Sequence, residues 1–188
     1  MDNKERIMEC ALDLFYAKGY DAVGVQEIAE TAGITKPTLY YYFGSKYGLL
    51  KTLLDTKFTQ LIAEMKNAAR YDGDVPKTLY RMAGTLIDIA NANRKMYMLM
   101  MALFYSAKEN EAYTAIQPWM QEFYGTIIGF FEEATPKLGN IRGRQRQFAI
   151  GFVGILNQYI LIMCTGSQEV SEETKRALVD QFMYGIYS

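Results

Sequence analysis

Lys36, Thr38, Tyr40, Tyr41 and Tyr42 crowd into seven residues around one apolar position, Leu39, and Phe43 closes the run. Ammonium and hydroxyl groups suit phosphate oxygens, while threonine and aromatic side chains suit base edges and thymine methyls. The chemistry on offer is recognition of nucleic acid. Ser45 can cap a following helix, and Lys46 then falls in its first turn, beside free N–H groups that also favour a phosphate. From Thr31 to Leu54 there is no acidic residue, although Lys36, Lys46 and Lys51 are present and the whole chain carries a net charge of −1. Three successive tyrosines also suit a packed aromatic cluster, and spaced lysines a solvated surface. Periodicity alone leaves both readings open.

Other chemistries find little support. The chain has no histidine, which removes His-dependent catalytic triads and the commonest transition-metal ligand. Its two cysteines, Cys10 and Cys164, lie far apart in helical patterns and read as small buried hydrophobes in a reducing compartment, not as a disulfide. No reactive cysteine setting and no phosphate-binding glycine loop appears. No enzyme activity, cofactor or metal is expected. With 188 residues, half of them apolar, the chain can bury a sizeable core and is not of a disordered class. The first ten residues are charged and amphipathic, unlike a signal peptide. No stretch of eighteen residues is apolar without polar interruption, so no membrane span is expected and the location expected is cytoplasmic.

The candidate residues need elements to hold them. Val25, Ile28, Ala29 and Ala32 recur at i, i+3, i+4 and i+7, one face of a helix. Gly33 interrupts that pattern where a turn needs positive φ. Thr35 is a good N-cap for a second helix, and Pro37 fits its first turn. Helix, glycine-containing turn and second short helix make a helix-turn-helix, whose second helix can enter the major groove. Residues 2–18 form a preceding helix through Ile7, Cys10, Ala11, Leu14 and Phe15, ended by Gly19.

These blocks, ALDLFYAKGYDAV (11–23), IAETAGITKPTLYYYF (28–43) and SKYGLL (45–50), resemble the DNA-binding domain of the tetracycline-repressor (TetR) family of bacterial transcription regulators. The resemblance implies that Lys36, Pro37, Thr38 and Tyr41 lie near bases and backbone, and that Tyr40, Tyr42 and Lys46 contact phosphates. Thr35 belongs to the same surface. Two departures stand out. Val23 and Gly24 replace a hydroxyl pair that usually caps the second helix and touches phosphate. Gly24 still serves as an N-cap at a cost of a few tenths of a kcal/mol. Gln26 occupies a position that is commonly basic, and Gln pairs well with adenine.

The remainder reads as helix. Residues 45–70 hold Leu50, Leu53, Leu54, Phe58, Leu61, Ile62 and Met65 on one face, a rod of roughly 35–40 Å that outgrows the small head. YDGDVP (71–76) breaks it. Helices follow over 76–92, 94–107 and 110–134, the last started or kinked by Pro118, and residues 135–143 form a loop. Arg142, Arg144 and Arg146 read as a solvated loop-to-helix edge, with contact to nucleic acid as the alternative. Residues 144–164 are apolar on all sides, with Gly151 and Gly154 permitting close approach. Ser171 caps a last helix with Glu172 and Glu173 in its first turn and Leu178, Val179, Phe182, Met183 and Ile186 on its apolar face.

The expected architecture is all-α, about nine helices, with a DNA-binding domain at 1–46 and a helical ligand-binding and dimerisation domain at 47–188. A helix apolar all round needs partners on more than one side. A two-fold four-helix bundle is expected through Phe152, Ile155, Leu156, Tyr159, Leu178, Phe182 and Met183; a buried central helix of a monomer is the alternative. Tyr97, Met101, Tyr105, Trp119, Phe123, Tyr124, Phe152 and Tyr159 offer Met and aromatic walls for an apolar pocket, or else plain core. Glu64, Asp88 and Glu122 are available to a cationic ligand or to solvent. Function is expected as a ligand-responsive homodimeric regulator, a repressor released from a near-palindromic double-stranded DNA operator by a small-molecule inducer, apolar or amphipathic. A ligand-independent DNA-organising protein with the same head and a solid core is the alternative.

Overall fold

A computed structural model describes residues 2–166 and 170–185. Its described residues form nine α-helices and no strand: α1 (Asn3–Lys18), α2 (Val25–Thr31), α3 (Lys36–Phe43), α4 (Lys46–Ala68), α5 (Val75–Ala92), α6 (Arg94–Phe104), α7 (Glu111–Ala134), α8 (Gln145–Thr165) and α9 (Glu172–Tyr184). One 3-10 turn, Gly139–Ile141, lies in the loop before α8. The ends follow local chemistry. Asp2 and Glu5 make a reciprocal capping box on α1, and the Ser171 hydroxyl accepts the Thr174 N–H at 3.1 Å to start α9. Pro118 neither starts nor ends α7, which runs through it. Ile186, expected on the last apolar face, lies outside the described residues.

The chain divides into two compact units. The first holds residues 1–60 and 93–120. It is larger than the head expected at 1–46 because α6 packs against α1, with Lys95 paired to Asp13 at 2.6 Å. Its core gathers Ile7, Ala11 and Phe15 from α1, Ile28 from α2, Leu39 from α3, and Leu49, Leu50, Leu53 and Leu54 from α4, all buried. Trp119 lies 5.7 Å from Phe58, ring to ring. Such packing, together with the partners of residues 110 and 111 described below, keeps residues 93–120 with the head.

The second unit holds residues 61–92 and 121–188, so α4 and α7 each contribute to both. Within it α5 packs on α8 and α9, and α8 on α9. Phe131 stands 4.9 Å from Phe130 and 6.2 Å from Phe182, and Phe182 stands 5.2 Å from Phe152. Polar clasps tie α9 to α5: Lys175 donates to Asp88 at 2.6 Å, and the Tyr80 hydroxyl donates to Asp180. Lys66 pairs with Glu122 at 2.6 Å. Asp88 and Glu122 therefore have partners within the protein. Arg142, Arg144 and Arg146 are all exposed, with Arg144 lying 5.2 Å over the Phe148 ring.

Three of the expected dimer contacts on α8 and α9 need correction. Phe152, Leu156 and Leu178 are buried in the protomer core, so their side chains offer no surface to a partner. The open apolar side of α8 carries Ile150 (51% exposed) and Ile162 (61% exposed), with Gly151, Gly154 and Tyr159 also exposed and Ile155 half-buried. Phe182 and Met183 are half-buried. By length and composition α8 is also apolar enough to cross a membrane, an exception to the expectation that no segment is. Its packing against α5 and α9 is that of a helix shared by a helical core.

Candidate nucleic-acid interface

The turn between α2 and α3 is closed by backbone bonds around a left-handed glycine. Gly33 has φ +62, and the Ile34 N–H reaches back to Ala29 O at 2.9 Å, a Schellman-type stop. Gly24 caps α2 without a side-chain bond, as its missing hydroxyl requires. Thr35 then caps α3: its Oγ1 accepts the Thr38 N–H at 3.4 Å and lies 2.9 Å from the Thr38 hydroxyl. Pro37 occupies the first turn, where its absent N–H costs little.

Leu39 and Phe43 face inward and are buried. The remaining positions of α3 therefore point away from the core. Tyr41 is 85% exposed, the most exposed large hydrophobic side chain among the described residues. Tyr40 and Tyr42 are also exposed, and the Tyr41 and Tyr42 rings meet edge-on at 5.4 Å. Lys36, Pro37 and Thr35 are exposed at the helix start, and Thr38 is half-buried. The structure thus brings Thr35, Lys36, Pro37, Thr38, Tyr40, Tyr41 and Tyr42 onto one helix with its apolar side locked. A packed aromatic cluster is not what these tyrosines form. Gln26, on α2, is exposed and donates to Glu30 one turn on.

Lys46 departs from the expected phosphate contact. Its ammonium donates to the carbonyls of Tyr20 and Val23, each at 3.1 Å, and stands 4.2 Å over the Tyr20 ring. Two of its three N–H donors are thereby directed into the protein. It braces the start of α4 against the loop between α1 and α2. Behind it, Tyr20 is buried, and its hydroxyl donates to Glu111. Burial, then that bond, pushes the Tyr20 phenol far above its ordinary pKa, so it stays protonated.

Sequence reasoning passed over Gly48. Its φ is not positive, but a Cβ there would lie 2.0 Å from Phe43 O. The absence of a side chain lets α4 begin directly against the end of α3. The nearby Ser45 Oγ accepts the Gly48 N–H at 2.9 Å. No local pattern signals this glycine; only the approach of the two helices does.

The residues proposed to meet a ligand fall into both units. Tyr97 and Met101 are buried in the first, and Trp119 is half-buried there. Tyr105, at the C-cap of α6, is 73% exposed, which removes it from any enclosed wall. In the second, Phe123 and Phe152 are buried, Tyr124 is half-buried and Tyr159 lies on the open side of α8. A cleft of about 550 Å³ in the second unit has a charged lining, including Lys77, Arg81, Glu172, Lys175 and Arg176, not the aromatic and Met walls expected of an apolar pocket.

Residues 7–53 match the profile of the bacterial regulatory proteins of the tetR family. Over 139 residues the chain is 30% identical to IcaR of Staphylococcus aureus, the HTH-type negative transcriptional regulator of the biofilm operon icaADBC, covering 72% of this chain and 73% of that protein. Over 157 residues it is 27% identical to the HTH-type transcriptional activator FasR of Mycolicibacterium smegmatis, covering 82% of this chain and 68% of FasR. Matches to relatives extend over as little as 30% of their length. The fold is similar to that of the Bacillus subtilis transcriptional regulator FadR, solved in complex with stearoyl-CoA, with a TM-score of 0.79, 18% identity and coverage of 97% of this chain and 99% of that one. With the helix-turn-helix, its outward tyrosines and a relative matched over most of both chains, this protein belongs to the tetR family of bacterial transcriptional regulators.

Proposed function

We propose that the chain is a homodimeric, ligand-responsive repressor, released from a near-palindromic operator by a small apolar or amphipathic molecule. The observation that carries the DNA-binding part is the outer face of α3, where Tyr41 is almost wholly exposed while Leu39 and Phe43 fix the helix from behind. Tyr41, Lys36 and Thr38 are assigned to bases and adjacent backbone, and Tyr40, Tyr42 and Thr35 to phosphates. Gln26 reads an adenine or the nearby backbone. A single short helix grips too few base pairs for specificity, and a two-fold dimer presents two of them to half-sites about one helical turn apart.

The open apolar side of α8, with Ile150, Ile155, Tyr159 and Ile162, supports the dimer. Isoleucines left in water lose the free energy that burial provides, about 25 cal/mol per Å². Repression is favoured by the likeness to the negative regulator IcaR, although FasR is an activator. An acyl chain is a fitting ligand class, because the FadR fold holds stearoyl-CoA and this chain is rich in Met and aromatic side chains. Tenfold induction needs about 1.4 kcal/mol of differential binding.

Two measurements test this reading. Sedimentation of the wild type should give a dimer and Ile162→Lys a monomer; a monomeric wild type would contradict the dimer. Fluorescence anisotropy on a duplex retained by the wild type, titrated with acyl-CoA thioesters and hydrophobic cations, should show release by one class. Binding that no compound releases would favour the ligand-independent alternative.

A further inference from the structure

The start of α7 reaches back to the loop that follows α1. The Tyr20 hydroxyl donates to Glu111 Oε1, and Asn110 Nδ2 donates to Asp21 Oδ2 at 2.6 Å. The other end of that amide, Asn110 Oδ1, accepts the Ala112 N–H at 2.8 Å, so Asn110 caps α7 and holds the loop together. Tyr20 is only 4% exposed, and its ring lies 5.1 Å from Phe15. Its ring also faces the Lys46 ammonium at 4.2 Å, and its carbonyl accepts from that group at 3.1 Å. Lys46 is the first residue of α4, three residues after the end of α3. One residue thus connects the beginning of α7 to the α3–α4 junction, within a single compact unit.

An eight-residue helix has few bonds of its own, so beyond the anchoring of Leu39 and Phe43 its orientation depends on how its ends are held. At the start, α3 has the Thr35 cap. At the end it has Gly44, the close approach at Gly48 and the Lys46 brace. We propose that Tyr20 is a positioning residue for DNA recognition, through which the Asn110–Glu111 segment fixes the α3–α4 junction and so the presentation of the recognition helix. The proposal rests on the DNA-binding reading of α3 above. It makes Asn110 and Glu111 a place where a change elsewhere in the chain reaches the recognition helix without passing along the α4 backbone.

The test compares the full-length wild type with Tyr20→Phe, Glu111→Ala, Glu111→Gln and the Tyr20→Phe/Glu111→Ala double variant. Amide hydrogen exchange is measured without DNA, and affinity on a duplex selected from a random pool by the wild type. Tyr20→Phe and Glu111→Ala should speed exchange across residues 39–49 by about threefold or more, with Leu53 to Phe58 unchanged, and should weaken the duplex about fivefold, the size of one lost hydrogen bond. Glu111→Gln, which keeps an acceptor for the Tyr20 hydroxyl, should stay within about twofold of wild type, and the double variant should be no weaker than either single one. Tyr20→Phe keeps the ring against Phe15 and carries the test if Glu111→Ala does not fold. Unchanged exchange across 39–49 in Tyr20→Phe, or a glutamine variant as weak as the alanine one, would overturn the proposal. A wild type that retains no duplex would overturn the DNA-binding reading instead, a separate outcome because exchange is read without DNA.

Discussion

The Cβ that Gly48 lacks would stand 2.0 Å from the carbonyl oxygen of Phe43. Backbone cannot yield there as a flexible side-chain tip would, so the end of α3 and the start of α4 are fixed at a distance only glycine permits. Gly48→Ala should therefore force the two helices apart and cost about 3 kcal/mol, the upper range for overpacking. Urea unfolding of the variant measures this. A loss under about 0.5 kcal/mol, the size of an ordinary surface change, would show that the junction relaxes freely.

Tyr41 separates recognition from stability. Because the side chain is 85% exposed, Tyr41→Ala should leave unfolding within about 0.5 kcal/mol of wild type. It should nevertheless alter sequence preference in a selection from random duplexes. Uniformly lower affinity with unaltered preference would make Tyr41 a backbone contact.

Lys36 and Lys46 should behave differently although both are cations beside the recognition helix. Lys36 is exposed at the start of α3, so Lys36→Ala should reduce the slope of log affinity against log salt by about 0.9. The Lys46 ammonium is held by two carbonyls, so Lys46→Ala should lower folding stability by about 1–2 kcal/mol and change the salt slope less. A Lys46 variant with full stability and a slope reduced by about one charge would return that residue to the phosphate contacts.

Alkaline pH should loosen α9. Burial by itself would depress the Lys175 ammonium, but its bonds to Asp88 and Glu172 outweigh that and raise its pKa above the ordinary 10.5. A raised folded pKa means the group's contribution is fully present below the unfolded value and is lost as pH rises through the folded one. Tyr80, held by Asp180, and Tyr20 act in the same direction. Wild-type stability should thus fall from about pH 10 upward, and Lys175→Met should fall less steeply. Equal slopes in both would remove Lys175 from the clasp.

Local signals made the head readable. Gly33, Thr35 and Pro37 each impose a turn or cap by their own chemistry, so the end of α2 and the start of α3 follow from neighbours in sequence. Lys46 was legible as a cation at a helix start but not as a brace, because the carbonyls of Tyr20 and Val23 come from residues more than twenty positions earlier. Gly48 carries no turn signature at all; its necessity is a distance between two helices. On α8, apolar residues on every side conceal which side is core, and the structure puts Phe152 and Leu156 inward and Ile150 and Ile162 outward. Pro118 does not start α7: Ile116 and Met120 are buried and Trp119 packs near Phe58, so tertiary contacts carry the helix through it. The packing of α6 on α1, which enlarges the first unit, is a long-range pairing that no window of sequence contains.

On the proposed function, the outer face of α3 binds DNA as half of a symmetric pair. The most direct test is an electrophoretic mobility shift across a salt series, using DNA from just upstream of the protein's own coding region, with wild type beside Tyr41→Ala. The wild type should form a specific complex at dimer stoichiometry that weakens as salt rises, and Tyr41→Ala should be folded but impaired in that complex. No wild-type complex even at low salt, or a complex indifferent to Tyr41→Ala, would contradict the proposed function.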